Sequence, residues 1–375
     1  MTGHVFLVDA VRTPTGRRAG GLAHIHPINL AAHVLRALVQ RSRIEASAID
    51  DVIMGCVTQT GDQGANIARL AVLQAGFPVR VPAFSLNRMC GSSQQAIHSA
   101  AQAILAGDAD LVIAGGVESM SRVAMGSDWN DPVAPPDMPF DLPHQGISAE
   151  HVARNYQLSR VELDDYSYTS HIRAAAATHA GRFEREIVPL PEAPSLQHDE
   201  GIRFEPNRER MRQLAPAFVP DGVITAANSS QISDGAAAVL LASEAALERY
   251  GLQPRARVAW RVVVGSDPVV MLDGPIAATR RLLERSGLTL DDIDLFEVNE
   301  AFASVALAWQ KTFGVPMEQL NVNGGAIALG HPLGASGARI MATLLNELER
   351  RNARRGLQTM CIGHGMATAT ILERT

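Results

Sequence analysis

Two cysteines of this chain have neighbours that suit nucleophilic chemistry. Cys90 lies within residues 87–96, after a strand-like run at 81–86 and at the start of a helix of small residues. The thiolate is the reactive form of cysteine, and a helix N-terminus is expected to lower the pKa of such a thiol. A small hydrophobic residue buried at a helix start would have similar neighbours. The local sequence alone leaves both interpretations open.

Cys361 ends another strand-like run, at 358–362, and Gly363 follows it two residues later. A thiol there could transfer a proton, and the Gly363 N–H could approach an oxyanion, although a buried structural thiol would fit the same position. The pair Cys361 and His364 could also be half of a zinc site. No second Cys-x-x-Cys or His-Glu-x-x-His pattern completes it, so we expect no metal.

His331 and Asn299 are the remaining candidates for chemistry. His331 stands between a glycine and a proline in the glycine-dense stretch 321–334, where a turn can project the imidazole into a cleft. Asn299 lies where a strand at 296–298 passes into a helix, and its amide could hold a water or polarise a carbonyl. A plain helix cap is the simpler interpretation of Asn299 alone.

The elements that must position these residues alternate between strand and helix. Strands are predicted at 5–8, 51–57, 111–116 and 358–362, and helices at 30–39, 91–105 and 334–351. Such alternation predicts an α/β fold with helices covering the faces of a sheet. A Gly/Ser-rich turn, a helix and a Gly-ended strand occur in this order in both halves. We therefore predict a duplicated α/β unit.

The segment from about 119 to 228 differs in character and is predicted to be an insertion. Residues 128–137 are loop-rich, and 148–180 are largely helical with a break at Ser159, which forms a capping box with Glu162. The predicted organisation is a first half at 1–248, which contains this inserted loop domain, and a second half at 252–375.

Composition narrows the classes of function. The net charge of −6 and the pI near 6.1, without a long basic tract, argue against nucleic-acid binding. The sequence contains no run of about eighteen apolar residues, so we predict no membrane span, and we recognise no signal peptide. Three cysteines cannot form a fully paired disulfide framework, which favours the cytoplasm. The single lysine, Lys311, is predicted at a solvated helix position, which argues against Schiff-base chemistry.

Taken together and in this order, these blocks resemble the thiolase family nearly from end to end. The resemblance includes residues 8–16, the Cys90 motif, the stretches 144–150, 181–189 and 225–236, and the motifs at 299–302, 330–332 and 361–363. It implies a duplicated thiolase fold, layered αβαβα, with an inserted loop domain. It also implies thiolysis of 3-ketoacyl-CoA or the reverse Claisen condensation of acetyl-CoA.

The resemblance implies a role for each residue of the site. Cys90 would be the nucleophile that carries the acyl group, and His331 would accept its proton and help to bind the thioester oxygen. Asn299 would hold a water in the same oxyanion hole. Cys361 would move the proton on the α-carbon of acetyl-CoA. The backbone N–H groups of Cys90 and Gly363 would form a second oxyanion hole.

The resemblance also implies how CoA binds. Ser230, His144 and Arg203 match positions that approach CoA in family members. CoA would be a co-substrate rather than a permanently bound cofactor, and the protein would be a homodimer or homotetramer. A ketoacyl synthase is the alternative enzyme, but that family lacks the second cysteine. The second alternative is a thiolase-like scaffold or lipid carrier without catalysis, but such proteins usually lose one of the four motifs, those at Cys90, Asn299, His331 and Cys361.

The sequence departs from the usual thiolase pattern in places that bear on substrate choice. His364 interrupts a run of glycines after the second cysteine, Ser93 stands where glycine is frequent, and Gln145 stands where methionine is common. His364 could narrow the pocket or shift the pKa of Cys361. Residues 61–69 loosely resemble thiolases that act on bulky side chains, and the acyl substrate is left open.

Overall fold

The computed structural model describes residues 3–129 and 133–375. Its strands are β1 (Phe6–Arg12), β2 (Gly16–Arg17), β3 (Asp51–Gly55), β4 (Ala83–Leu86), β5 (Leu111–Ser119), β6 (Ser233–Ala242), β7 (Ala256–Gly265), β8 (Leu295–Val298), β9 (Arg355–Ile362) and β10 (Met366–Arg374). Its α-helices are α1 (Pro27–Ser42), α2 (Ile67–Gln74), α3 (Ser92–Ala106), α4 (Gln145–Asn155), α5 (Arg160–His179), α6 (Arg208–Arg212), α7 (Glu244–Tyr250), α8 (Gly274–Ser286), α9 (Ala303–Phe313), α10 (Ala326–Leu329) and α11 (Ser336–Arg350). The predicted strands and helices are confirmed, with ends that differ by a few residues.

The two halves of the chain have the same strand topology. In the first half the order is β4-β3-β5-β6-β1, with β3 parallel to β4 and β5, and β6 antiparallel to β5 and β1. In the second half the order is β8-β9-β10-β7, with β8 parallel to β9, and β10 antiparallel to β9 and β7. A parallel bridge from Phe296 to Leu320 takes the place of β4. The duplication expected from the sequence is therefore present in the fold.

Strand β5 shows how the layers arise from the sequence. All nine of its residues are buried, as expected of a strand that is covered on both faces. Because neighbouring side chains of a strand point to opposite faces, Leu111 and Ile113 pack in one core while Val112 and Ala114 pack in another.

Three core clusters separate the layers of the molecule. One lies between α1 and α2 and the outer face of the first-half strands. A second surrounds α3 and α11, which lie between the two halves of the sheet. A third lies between the second-half strands and α8 and α9. Strands β1 and β7 pair only where they begin, at Phe6–Arg257 and Leu7–Ala256. The layers follow the order α, β, α, β, α.

The largest difference between the halves is the connection after β5. In the second half, residues 363–365 suffice to join β9 to β10, whereas residues 120–232 join β5 to β6 and contain α4, α5 and α6. The predicted capping box of Ser159 and Glu162 is confirmed at the start of α5. Residues 130–132 of the predicted loop lie outside the described residues, and its described neighbours are turns and bends. The domain boundaries at 248 and 252 stay a prediction.

No helix in the described part of the chain is long and apolar enough to span a lipid bilayer. Lys311 is exposed on α9, as predicted, and its Nζ donates to the backbone oxygen of Tyr156 at 2.9 Å.

Candidate active site

Cys90 lies in a tight turn at the entrance of α3. The preceding residue, Met89, has a φ of 44°, and the Gly91 N–H donates to the Arg88 carbonyl at 3.0 Å. The Cys90 side chain is half-buried and packs against an apolar cluster of Val57, Met120 and Leu333. The predicted position at the mouth of a helix is therefore correct, but the thiol has apolar neighbours from three distant parts of the chain.

These neighbours reverse the pKa shift expected from the sequence. Burial raises the pKa of Cys90 to about 11, and Glu118 contributes in the same direction. Hydrogen bonds to the thiol from the backbone N–H groups of Cys90 and Gly363 lower the pKa but offset only part of this effect. The expectation that the helix N-terminus lowers the pKa of this thiol is wrong, because desolvation outweighs the helix end. At neutral pH Cys90 is a thiol and needs a base to react.

Cys361 comes from the second half of the fold and meets Cys90. It is fully buried at the end of β9, and burial followed by the charge of the neighbouring Cys90 raises its pKa. A Cβ on Gly91 would lie 2.5 Å from Ile362 Cδ1, so glycine at 91 lets the start of α3 approach the strand end. The structure therefore brings Cys90, Cys361 and Gly363 together.

His331 is held in one tautomer by the start of α11. Ser336 Oγ donates its hydrogen to the Pro332 carbonyl at 2.8 Å and lies 2.6 Å from His331 Nδ1. Because this hydroxyl hydrogen is already used, we assign the imidazole hydrogen to Nδ1 and the free lone pair to Nε2. Burial and the nearby Arg339 lower the pKa of His331 to about 3. His331 is therefore a neutral base.

Asn299 faces the basic nitrogen of this imidazole. Its backbone N–H donates to the Thr359 carbonyl at 3.0 Å, which fixes the end of β8 beside β9. Its Nδ2 lies 3.3 Å from His331 Nε2, and both residues are buried. The motifs at 299 and 331 thus form one donor–acceptor pair, and their roles in an oxyanion hole stay a prediction.

Two buried carboxylates that the sequence analysis missed hold the loops of the site. Glu300 accepts hydrogen bonds from Tyr166 Oη at 2.9 Å and Ser170 Oγ at 2.7 Å, both on α5, and from the second-half Asn321 and Ile327. Glu118, at the end of β5, accepts from the backbone N–H groups of residues 57, 58 and 334 and from the side chain of Gln63. The only sequence signal for either residue was a glutamate placed within, or just after, a run of apolar residues that predicts a buried strand.

The residues predicted to approach CoA do not line one common cavity. Arg203 lines a cavity of about 480 Å³, together with Arg210, Phe204 and Gln231. Ser230, next to Gln231, does not line the cavity, and its N–H donates to the Ala301 carbonyl at 2.9 Å.

His144 does not line this cavity either. It caps α4 through Nδ1, which accepts from the Gly146 N–H, and its ring lies 5.3 Å from that of Phe218. Phe218 packs in turn on Phe302, at 6.0 Å between ring centroids. His144 is thus linked through two aromatic rings to the stretch that begins at Asn299.

The described residues contain no cluster of three or more His, Cys, Asp or Glu side chains that could hold a metal ion. What they contain is a pair of neighbouring thiols, a neutral imidazole, an amide beside it, and two N–H groups directed at the first thiol. Such a set of groups is suited to acyl transfer.

The comparisons with known proteins agree with this class. The family model for the thiolase N-terminal domain matches residues 5–245, and that for the thiolase C-terminal domain matches residues 252–374. The chain is 49% identical to the steroid 3-ketoacyl-CoA thiolase FadA6 of Mycobacterium tuberculosis, over 98% of this chain and 94% of that protein. It is 48% identical to the 3-ketoacyl-CoA thiolase of Klebsiella pneumoniae, over 99% of both chains.

A solved structure gives the same result. The crystal structure of the Bacillus anthracis acetyl-CoA acetyltransferase superposes with a TM-score of 0.92 at 37% sequence identity, over 100% of this chain and 99% of that one. The chain belongs to the thiolase family. It is an acyltransferase with the thiolase fold, and the reaction of this family is thiolysis of a 3-ketoacyl-CoA or the reverse condensation. The predicted family, fold and enzyme class are confirmed, rather than the ketoacyl synthase alternative.

Proposed function

We propose that the chain carries out this reaction through an acyl thioester on Cys90. The observation that carries the proposal is the meeting of two thiols from opposite halves of the fold, with Gly363 donating to the Cys90 sulfur. The neutral His331 and its partner Asn299 supply the base and the nearby amide donor.

In the thiolysis direction the first step forms the acyl enzyme. Cys90 Sγ attacks the 3-keto carbon while its proton passes to His331 Nε2. The C2–C3 bond then breaks as the Cys90 thioester forms, and its electron pair is left on the enolate of acetyl-CoA. Cys361 gives its proton to C2 and completes acetyl-CoA. The N–H groups of Cys90 and Gly363 and the donors of His331 and Asn299 serve as the two oxyanion holes.

The second step releases the shortened acyl chain. The incoming CoA thiol gives its proton to the Cys361 thiolate and attacks the carbonyl carbon of the Cys90 thioester. The bond to Cys90 breaks, and the Cys90 sulfur recovers its proton from His331. Cys90 thus recovers its own proton through His331, and Cys361 replaces the proton it gave to C2 with one from the CoA thiol, so both thiols are regenerated.

We propose that CoA extends from this site over Ser230 and His144 to the cavity beside Arg203. The cavity presents two arginines, Arg203 and Arg210, which suit the phosphates of CoA. Ser230 hydrogen-bonds the stretch that follows Asn299, and His144 is linked to that stretch through Phe218 and Phe302, which supports a course of CoA past both residues.

We propose thiolysis as the main direction, because relatives named 3-ketoacyl-CoA thiolase are 47–49% identical and the acetyl-CoA acetyltransferase is 37% identical. The three free cysteines support a reducing, cytoplasmic location.

We also propose a homo-oligomer, with a homodimer as its basic unit. In the described residues β4 pairs only with β3, and it leaves Phe84 exposed together with Leu70 and Leu73 of α2. An unpaired edge strand beside exposed apolar side chains is a ready surface for a second copy. The mass measured by light scattering should equal two or four chains, and Phe84→Arg should lower it.

Substitution of each thiol tests the proposed roles. Cys90→Ser should lose nearly all thiolysis of acetoacetyl-CoA and all acyl-enzyme detected by intact mass. Cys361→Ala should still acylate Cys90 from acetyl-CoA, while condensation and thiolysis fail. Cys56→Ala is the matched control, because Cys56 is a fully buried thiol without a proposed role. Normal thiolysis by Cys90→Ser would overturn the proposal, and a Cys361→Ala variant that cannot acylate would show that its role is misplaced.

A further inference from the structure

The turn between β9 and β10 holds a side chain in an unfavourable backbone conformation. His364 has a φ of 63°, in the left-handed region that glycine adopts most easily, and it stands between Gly363 and Gly365. A non-glycine residue is uncommon there, although histidine is among the better tolerated types. Such a position beside the Gly363 N–H, which donates to Cys90, points to a use for the imidazole.

The imidazole reaches towards the inserted segment. Its ring lies 6.4 Å from that of Trp129, at an interplanar angle of 60°, in an edge-to-face arrangement. His364 is half-buried, while its Nδ1 is fully buried and has no hydrogen-bond partner among the described residues. With no acceptor at Nδ1, we assign a ring hydrogen to Nε2. The accessible nitrogen of His364 is therefore a donor.

Side-chain contacts link the turn that holds Trp129 to α4. A Cβ on Gly126 would lie 3.2 Å from the indole of Trp129, so this ring folds back over the turn at 126. Next to that turn, Met125 Sδ lies 3.6 Å from Gln145 Nε2, in the first turn of α4. Trp129 and Met125 are both exposed apolar side chains.

Further hydrogen bonds link α4 back to the turn between β9 and β10. Ser148 Oγ donates to the Val269 carbonyl at 2.8 Å, which joins α4 to the loop after β7. In the same loop the Ser266 N–H donates to the Gly365 carbonyl at 2.7 Å, next to His364. Three segments of the chain thus meet around the turn that contains Gly363 and His364.

Two of the three departures from the thiolase pattern, Gln145 and His364, lie in these segments. Gln145 stands where methionine is common, and His364 stands where glycine is frequent. Around them lie Met125, Trp129 and, against Gly363, Met89. Two hydrogen-bonding side chains beside these apolar ones suit a substrate with a polar group at that place, because a donor that stays unpaired against an apolar chain weakens binding.

We propose that His364 is a specificity-determining residue whose Nε2–H donates to an oxygen of the acyl group, beyond the ketone that reacts. The acyl group then lies between the His364 and Trp129 rings on one side and Gln145 on the other. The enzyme prefers 3-ketoacyl-CoA thioesters whose acyl part carries a second ketone, hydroxyl or carboxylate over those with a plain alkyl chain. This inference rests on the proposed thiolase reaction at Cys90.

The test compares thioesters of equal length. We would measure kcat/KM for thiolysis of 3-ketooctanoyl-CoA and of its analogues with a ketone at C6 or C7 or a carboxylate at C8. The readout is the ratio of each oxygenated thioester to the plain one within the same protein. The wild type should favour at least one oxygenated thioester by about tenfold or more, the effect of one well-placed hydrogen bond.

Three variants separate hydrogen bonding from shape. His364→Phe keeps an aromatic edge against Trp129 but has no N–H, so its ratio should fall to about one. His364→Gly relaxes the backbone and should also lose the ratio. The exposed His24 supplies the control His24→Phe, which should keep the wild-type ratio.

The outcomes separate this inference from the proposed function. Equal rates for all octanoyl thioesters in the wild type, or an unchanged ratio in His364→Phe, would overturn the role of His364 while the thiolase reaction stands. No turnover by the wild type of any thioester, acetoacetyl-CoA included, would overturn the proposed function and this inference with it.

Discussion

Ser336 should be essential for the efficiency of His331, although the sequence does not mark it as a site residue. Its side chain is fully buried, and its Oγ lies 2.6 Å from His331 Nδ1. In Ser336→Ala the Nδ1–H loses its acceptor, so the ring is free to rotate or to move its hydrogen to Nε2. A ring with its hydrogen on Nε2 cannot accept the Cys90 proton there.

The expected magnitude follows from the charge that develops during acylation. When His331 takes the Cys90 proton it becomes an imidazolium, and a hydrogen bond to a charged group contributes about 1.5–3 kcal/mol. Since about 1.4 kcal/mol corresponds to a factor of ten in rate, Ser336→Ala should acylate about 10- to 150-fold more slowly. The buried Nδ1–H left unpaired should also lower the free energy of unfolding by about 1–3 kcal/mol.

Rapid quenching with intact-mass detection of the acetylated protein measures the acylation rate directly. Ser93→Ala is the matched control, because Ser93 is equally buried at the start of α3 and its Oγ accepts from the Ala338 N–H at 3.0 Å. That variant also loses a buried hydrogen bond but leaves His331 untouched. Wild-type acylation by Ser336→Ala, or equal slowing in both variants, would refute the role assigned to Ser336.

The same site bears on pH dependence, on stability and on CoA binding. Because the pKa is lowered to about 3 for His331 and raised to about 11 for Cys90, acylation kcat/KM should be flat from pH 5 to 9, and a step near 6.5 would contradict the neutral base. Below pH 6.5 His331 is protonated in the unfolded chain but stays neutral in the folded one. This residue should therefore make the free energy of unfolding, measured in urea, fall by about 1.4 kcal/mol per pH unit below 6.5. Glu300→Gln should lower the free energy of unfolding by about 1–3 kcal/mol, because the four groups that donate to the Glu300 carboxylate would then face an amide. Glu297→Gln should change it little at pH 7, because burial raises the Glu297 pKa to about 8 and keeps that carboxyl neutral. Arg203→Met should raise the KM for CoA several-fold at low salt and less at high salt, and a salt-independent KM would contradict a phosphate contact.

Much of the fold could be predicted because its signals are local. The run at 111–116 is apolar at nearly every position, and a strand covered on both faces requires that pattern. The break at Ser159 was marked by a capping box, which four neighbouring residues decide. The positions of Cys90 and Cys361 after strand-like runs were likewise readable from short stretches, which is why the motifs were recognised.

The chemistry of the site was less predictable because distant residues decide it. A helix N-terminus is visible in the sequence around Cys90, but Val57, Met120 and Leu333, which desolvate the thiol, come from three separate segments. The direction of the pKa shift was therefore wrong. Glu300 was missed for a similar reason, since its donors on α5 lie 130 and 134 residues away.

The duplicated topology explains how the two helix entrances that carry Cys90 and His331 come close to each other. Cys90 enters α3, and His331 stands just before α11, so the two residues occupy corresponding positions in the two halves. The two helices cross closely where they begin, because a Cβ on Gly337 would overlap the backbone of Gln94. Side chains at the two helix entrances are therefore brought together by the crossing itself. What distinguishes the halves is the connection after the corresponding strands β5 and β9. The short connection after β9 follows Cys361 and places Gly363 against Cys90. The long connection after β5 contains the inserted segment. The second half thus contributes Cys361, Gly363 and His364, and the inserted segment of the first half lies against them through Trp129.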